Sequence, residues 1–86
     1  MPQNVVHKFG KKGKQDGQFN SPNGMLLDSS SNFLVCDYNN NRVQQFSLDG
    51  RFTGKTITRL SSPFGIATAP DGRILVAARN TVYVLK

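Results

Sequence analysis

A chain of 86 residues forms at most one small domain, and one this short buries only ~60–65% of the surface its unfolded form exposes. No apolar run approaches the ~18 residues a membrane helix needs, and a single cysteine excludes an internal disulfide. Eleven Lys and Arg against five acids give a formal charge of +6, which points towards anionic partners. All five acids are Asp, and three of them precede Gly, so they serve turns rather than a charged helix face. The absence of Glu and the eight Gly argue for short strands joined by tight turns. Residues 1–10 hold no signal-peptide core, and a cytoplasmic setting is the expectation.

In chain order, residues 4–9 alternate well enough for a strand, with Val5, His7 and Phe9 on one face. Residues 10–22 form a long loop rich in Gly and Lys. A short apolar strand over 24–28 follows, with Met25, Leu26 and Leu27 expected in the core. Ser29 to Asn32 make a turn. Strands over 33–37 and 42–47 flank the polar turn at Tyr38, Asn39, Asn40 and Asn41, residues that tolerate positive φ. Asp37 and Arg42 flank that turn and can pair across it. Read as an exposed pair, it contributes only ~0–1 kcal/mol and serves mainly to fix the turn. After Asp49-Gly50 come strands over 51–58 and, past the loop 59–63, over 64–69, 73–78 and 81–86.

The chain repeats itself. Ser21-Pro22-x-Gly24 returns as Ser62-Pro63-x-Gly65, 41 residues on, and at that offset Leu34-Val35 meets Leu75-Val76. The register then slips by two, so that Val43 matches Val82 and Phe46 matches Leu85. The second copy has a shorter turn, and Ala78 stands where the first has Asp37. A period near 40 with about four strands per unit is a propeller signature. With no Trp, the chain does not fit the WD40 type.

The stretch from Asp37 to Gly50 resembles the NHL repeat. Asp37, Asn40, Arg42, Val43, Phe46, Asp49 and Gly50 fall on that pattern, as do Gly17-Gln18-Phe19, Pro22, Gly24 and Asp28 upstream. Asn41 stands where the family most often has His. The resemblance implies an all-β fold: two four-stranded antiparallel blades of a partial six-bladed NHL propeller, the second lacking its outermost strand. It divides the chain into an outermost strand and basic loop (1–22), a first blade (23–58) and an incomplete second blade (59–86). Residues 24–28 and 64–69 would be the innermost strands. Two blades leave two sheet faces bare, and three chains would complete a six-bladed ring. In such a homotrimer, residues 4–9 of one chain would finish the second blade of the next.

By the same resemblance, the chain is expected to be a non-catalytic module at the C-terminal part of a tripartite-motif E3 ubiquitin ligase, recruiting protein substrates or RNA. A stand-alone propeller binding single-stranded RNA is the alternative. The RING and B-box zinc modules of such ligases cannot be built here with one cysteine. An amidating lyase shares the repeat, but its metal and His-rich centre has no counterpart. No cofactor, membrane or DNA is expected. His7 reads as a structural or surface residue, and Cys36 as a small buried one. The loops 10–22, 38–41, 59–63 and 79–81 should gather at one end of the blades. There Lys11, Lys12, Lys14, Arg59 and Arg79 face only Asp16, beside Tyr38 and Asn39. These residues are the candidate partner or RNA surface; Asp37 and Arg42 are the candidate structural turn pair. Phe64 can stack a base or simply pack.

Overall fold

The computed structural model describes residues 4, 5 and 7–86. Seven strands form two antiparallel sheets. The first sheet holds β1 (Pro22–Leu27), β2 (Phe33–Asp37), β3 (Arg42–Phe46) and β4 (Phe52–Ile57), paired in sequence order. The second holds β5 (Gly65–Thr68), β6 (Ile74–Ala77) and β7 (Val82–Leu85), again in order. Each predicted strand from residue 24 onward appears, shortened or shifted by one or two residues at its ends. The sheets are two propeller blades, the second three-stranded.

Period-two alternation sorts the side chains onto two faces of each sheet. On the first sheet, Leu34, Cys36 and Val43 form one row with Leu26 and Ile57. They bury against Ile66, Ile74, Val76, Tyr83 and Leu85 of the second sheet, with Leu60 of the connecting segment between them. The innermost strands β1 and β5 run side by side. Gly24 makes this approach feasible: at φ +111°, a Cβ there would lie 2.6 Å from the carbonyl oxygen of Phe64.

The opposite face of the first sheet is partly covered by the chain's own N-terminal segment. Phe9 lies with its ring centroid 5.0 Å from Phe46 and 6.2 Å from Phe33, and Phe19 lies 5.2 Å from Phe46. Val35 and Phe52 complete this aromatic cluster. His7 Nε2 donates to the Asp49 carbonyl at 2.9 Å and ties the start of the segment to the turn after β3.

Two sequence expectations are corrected here. The strand predicted over 4–9 is not formed among the described residues; residue 6 lies outside them. A strand needs an edge to pair with, whereas Phe9 gains more by burying its ring on the face of the first sheet. The segment therefore lies across a sheet rather than extending one. Met25 and Leu27, expected in the core, are 60% and 54% exposed. They alternate onto the face that the N-terminal segment covers only in part, while Leu26 points at the second sheet.

Candidate functional site

The first blade carries a polar row on its N-terminal-segment face. Asp37 pairs with Arg42 across β2 and β3, and Val35 with Gln44. Asp37, Arg42 and Gln44 are all buried. Buried polar groups are costly unless paired, and these are paired almost entirely with the loop that crosses them. Arg42 Nε donates to Asp37 Oδ2 at 2.8 Å. Its Nη1 donates to the Lys14 carbonyl at 3.1 Å, and its Nη2 to the carbonyls of Gln15 and Gln18 at 3.0 and 2.8 Å. Gln44 Nε2 adds a bond to the Gln18 carbonyl, and Gln44 Oε1 accepts from the Gly17 amide. Asp37 Oδ1 accepts from the Asn20 amide at 2.7 Å, and its Oδ2 also accepts from Asn40 Nδ2.

The pair read from sequence as exposed is thus the hub of a buried clamp. The planar guanidinium suits this task, because its fixed fork of donors meets one carboxylate and three carbonyls at once. The clamp holds residues 13–20 against the blade. The second blade has Ala78 at the position of Asp37, and its connecting segment, 59–63, is far shorter. With no long loop to hold, that blade has no polar row to satisfy.

The four loops predicted to share one end do so through a continuous set of hydrogen bonds. Asn40 Nδ2 donates to the Gly13 carbonyl, and Asn39 Nδ2 to Asn20 Oδ1 and Ser21 Oγ. The Tyr38 amide donates to the Ser21 carbonyl. Asn41, in the left-handed conformation at φ 56°, accepts from the Leu60 amide on its carbonyl and from the Ser62 amide on Oδ1. The Arg79 amide donates to the Ser61 carbonyl, and Tyr83 Oη accepts from the Ser61 amide.

The candidate residues divide between two recesses on this end. Arg59 and Arg79 line one of about 580 Å³, with Asn41, Ser61 and Asn80 on its walls. Lys11 and Lys12 line another of about 440 Å³, beside Phe9, Phe19 and Asn20. Lys14 belongs to neither: its carbonyl serves Arg42 and its side chain is exposed. Tyr38 is half-buried, and Asn39 is exposed but spends its amide on loop-to-loop bonds. Phe64 is 45% exposed. Sequence reasoning missed Gln44, Asn40 and Asn41 as organisers of this end. The available signal was the alternation of β3, which puts Gln44 on the face of Arg42.

The opposite end is built from acidic turns whose charges are spent locally. Asp28 Oδ1 accepts from the Ser30 and Asn32 amides and Oδ2 from Gln45 Nε2. Partial burial pushes the Asp28 carboxyl up, but these bonds and the Lys55 charge outweigh it and hold the group below the usual carboxylate value. Arg73 Nε bonds Asp71 Oδ2 at 2.8 Å, and Arg51 lies near Asp49. The five exposed cations of the first end have no such partners among the described ion pairs. Cys36 is fully buried, and burial pushes its thiol up to about 11, well away from reactivity.

Comparison with known proteins agrees with this geometry. Residues 19–46 match the NHL repeat. The chain is 33% identical to the protein brain tumor of Drosophila melanogaster, over 92% of this chain and 8% of that protein. It is 36% identical to RING finger protein nhl-1 of Caenorhabditis elegans, over 71% of this chain and 7% of that protein. It is 41% identical to tripartite motif-containing protein 2 of Mus musculus, over 59% of this chain and 7% of that protein. The chain spans less than a tenth of the length of each of these relatives.

Proposed function

The chain carries an NHL repeat of the tripartite-motif type, and from that premise we infer that it is a non-catalytic interaction module that binds RNA or an acidic protein segment through its basic loop end. The observation that carries this reading is the division of charge. Lys11, Lys12, Lys14, Arg59 and Arg79 stand exposed on one hydrogen-bonded loop layer, while at the other end Asp71 pairs with Arg73, Asp49 lies near Arg51 and Asp28 accepts hydrogen bonds within its own turn. An anion approaching the basic end meets a field that persists over a screening length of ~8 Å at physiological salt. The recesses add shape: one sets two lysines beside the half-buried Phe9 and the buried Phe19, the other sets two arginines around amide side chains.

In a longer protein, the module would recruit substrates to a tripartite-motif ubiquitin ligase in the cytoplasm, its zinc modules lying elsewhere in the chain. Binding of a single-stranded RNA oligonucleotide and of an acidic peptide, each titrated with salt, tests the reading. For RNA, affinity should fall steeply with salt as phosphate counterions are released. Replacing Lys11, Lys12 and Arg59 with Glu should abolish binding without unfolding the protein, whereas replacing Arg51 and Arg73 should leave it nearly unchanged. Equal loss from both sets would overturn the assignment to this end.

A further inference from the structure

The recess that holds Arg59 and Arg79 is built from both blades. Asn41 belongs to the turn after β2, Arg59, Ser61 and Ser62 to the segment joining the blades, and Arg79 and Thr81 to the turn after β6. Hydrogen bonds fix its walls: the Leu60 amide to the Asn41 carbonyl at 3.0 Å, the Ser62 amide to Asn41 Oδ1 at 3.0 Å and the Arg79 amide to the Ser61 carbonyl at 2.8 Å. Three of its residues have a left-handed backbone, Asn41 at φ 56°, Arg59 at φ 64° and Ser62 at φ 52°. Asn tolerates that conformation, whereas Arg and Ser adopt it at a cost that Gly would spare. Ser62 gains its amide bond to Asn41 in return. The Arg59 side chain gains nothing within the chain: among the described residues its guanidinium makes no ion pair and no hydrogen bond. A long, unpaired cation on a strained backbone points to a ligand.

The chemistry of the walls narrows what that ligand is. Two guanidinium groups, two amide side chains and three hydroxyls line the recess, and no carboxylate does, so its occupant is an anion. The neighbouring recess beside Lys11 and Lys12 has Phe9 and Phe19 in its wall, whereas here Leu60 is the one apolar residue and no ring is present to stack a base. One guanidinium fork already satisfies the two oxygens of a carboxylate; two forks match a phosphomonoester, which offers three oxygens and a charge of about −1.5 to −2. We propose, on the reading that this end of the molecule binds anions, that the recess takes the phosphoserine or phosphothreonine of a phosphorylated protein segment, its phosphoryl oxygens held between Arg59 and Arg79. Because the bonds within the walls set the frame beforehand, chiefly the two arginine side chains must become ordered on binding.

Fluorescence anisotropy with a short labelled glycine-serine peptide carrying one central phosphoserine tests this, beside the same peptide unphosphorylated and a single-stranded RNA oligonucleotide. The phosphorylated peptide should bind at least ~tenfold more tightly than its unphosphorylated twin. Arg59→Lys and Arg79→Lys keep the charge and lose the fork, so each should weaken that binding about tenfold, whereas Arg51→Lys at the opposite end should leave it unchanged. On adding the phosphorylated peptide, NMR shifts should fall on the amides of residues 59–62 and 79–81. Arg59→Gly separates binding from folding: it relieves the left-handed backbone, so the melting temperature should hold or rise while affinity for the phosphorylated peptide falls. A lower melting temperature for Arg59→Gly would show that Arg59 is kept for the fold and would overturn the assignment. Unchanged binding by Arg59→Lys and Arg79→Lys, or shifts centred on Lys11 and Lys12, would overturn it too. If RNA binds but the two peptides are not distinguished, the phosphoserine site is refuted and the wider reading of the basic end stands; if none of the three probes binds, both fall.

Discussion

Arg42→Ala should be among the most damaging substitutions in the chain, and the structure supplies the magnitude. The side chain makes four hydrogen bonds, one to a carboxylate that is itself fully buried and three to carbonyls of the loop. Removing one partner of a buried pair typically costs ~3–5 kcal/mol. Asp37 keeps two other donors, the Asn20 amide and Asn40 Nδ2, so the lower end, ~3 kcal/mol, applies. An 86-residue domain holds only ~4–13 kcal/mol in total, so this loss is a large share. In a domain of this size it should lower the melting temperature by ~12–24 °C. Urea unfolding gives the free energy directly. Arg42→Lys should fall between, since one ammonium cannot reach a carboxylate and three carbonyls together. The double variant with Asp37→Ala should cost clearly less than the two single losses combined, because both act through one clamp. A loss under ~1 kcal/mol for Arg42→Ala, or strict additivity, would refute the clamp and restore the exposed turn pair of the sequence reading.

Gly24→Ala should cost ~1–3 kcal/mol by circular dichroism melts, because the added carbon meets the Phe64 carbonyl and φ is +111°. Cys36 should resist thiol reagents at pH 8 in the folded protein and react on unfolding, since burial raises its pKa to about 11. The Asp28 carboxyl titrates below its ordinary value of 3.8 in the folded chain. Its contribution to stability is therefore full above that value and lost as pH falls through the lower folded one. Asp28→Asn should flatten this part of the acid unfolding curve, and an unchanged curve would show that its turn bonds contribute nothing.

The strands were legible because β-branched and aromatic residues alternate between clear turn signals, and the repeat fixed which strands belong to which blade. Asp37 and Arg42 could be placed on facing strands from the same pattern. Their burial could not, because it depends on a loop folding back over a face, and Lys, Gly and Gln between residues 10 and 18 read as solvated chain. The carbonyls that receive Arg42 leave no trace in side-chain identity. Met25 and Leu27 misled for a related reason: an apolar run states that both faces of a strand are suited to burial, not that both are covered. The segment 4–9 alternates like a strand, yet one ring, Phe9, settles its place. The gathering of Lys11, Lys12, Arg59 and Arg79 at one end followed from strand direction. Their division into two recesses needed the loop bonds made by Asn40 and Asn41.

The clamp grips main-chain atoms: Arg42 and Gln44 meet the carbonyls of residues 14, 15 and 18 and the amide of residue 17. Such a grip is indifferent to most of the letters it holds. Gly13 and Gly17, with positive φ, are tied to the loop's shape, but the side chains of Lys11, Lys12, Lys14 and Asp16 stand out in solvent. Those four positions can be rewritten while the loop keeps its path. The first blade thus presents a fixed frame with interchangeable lettering, on which selection, or an engineer, can change what is recognised without refolding what does the recognising.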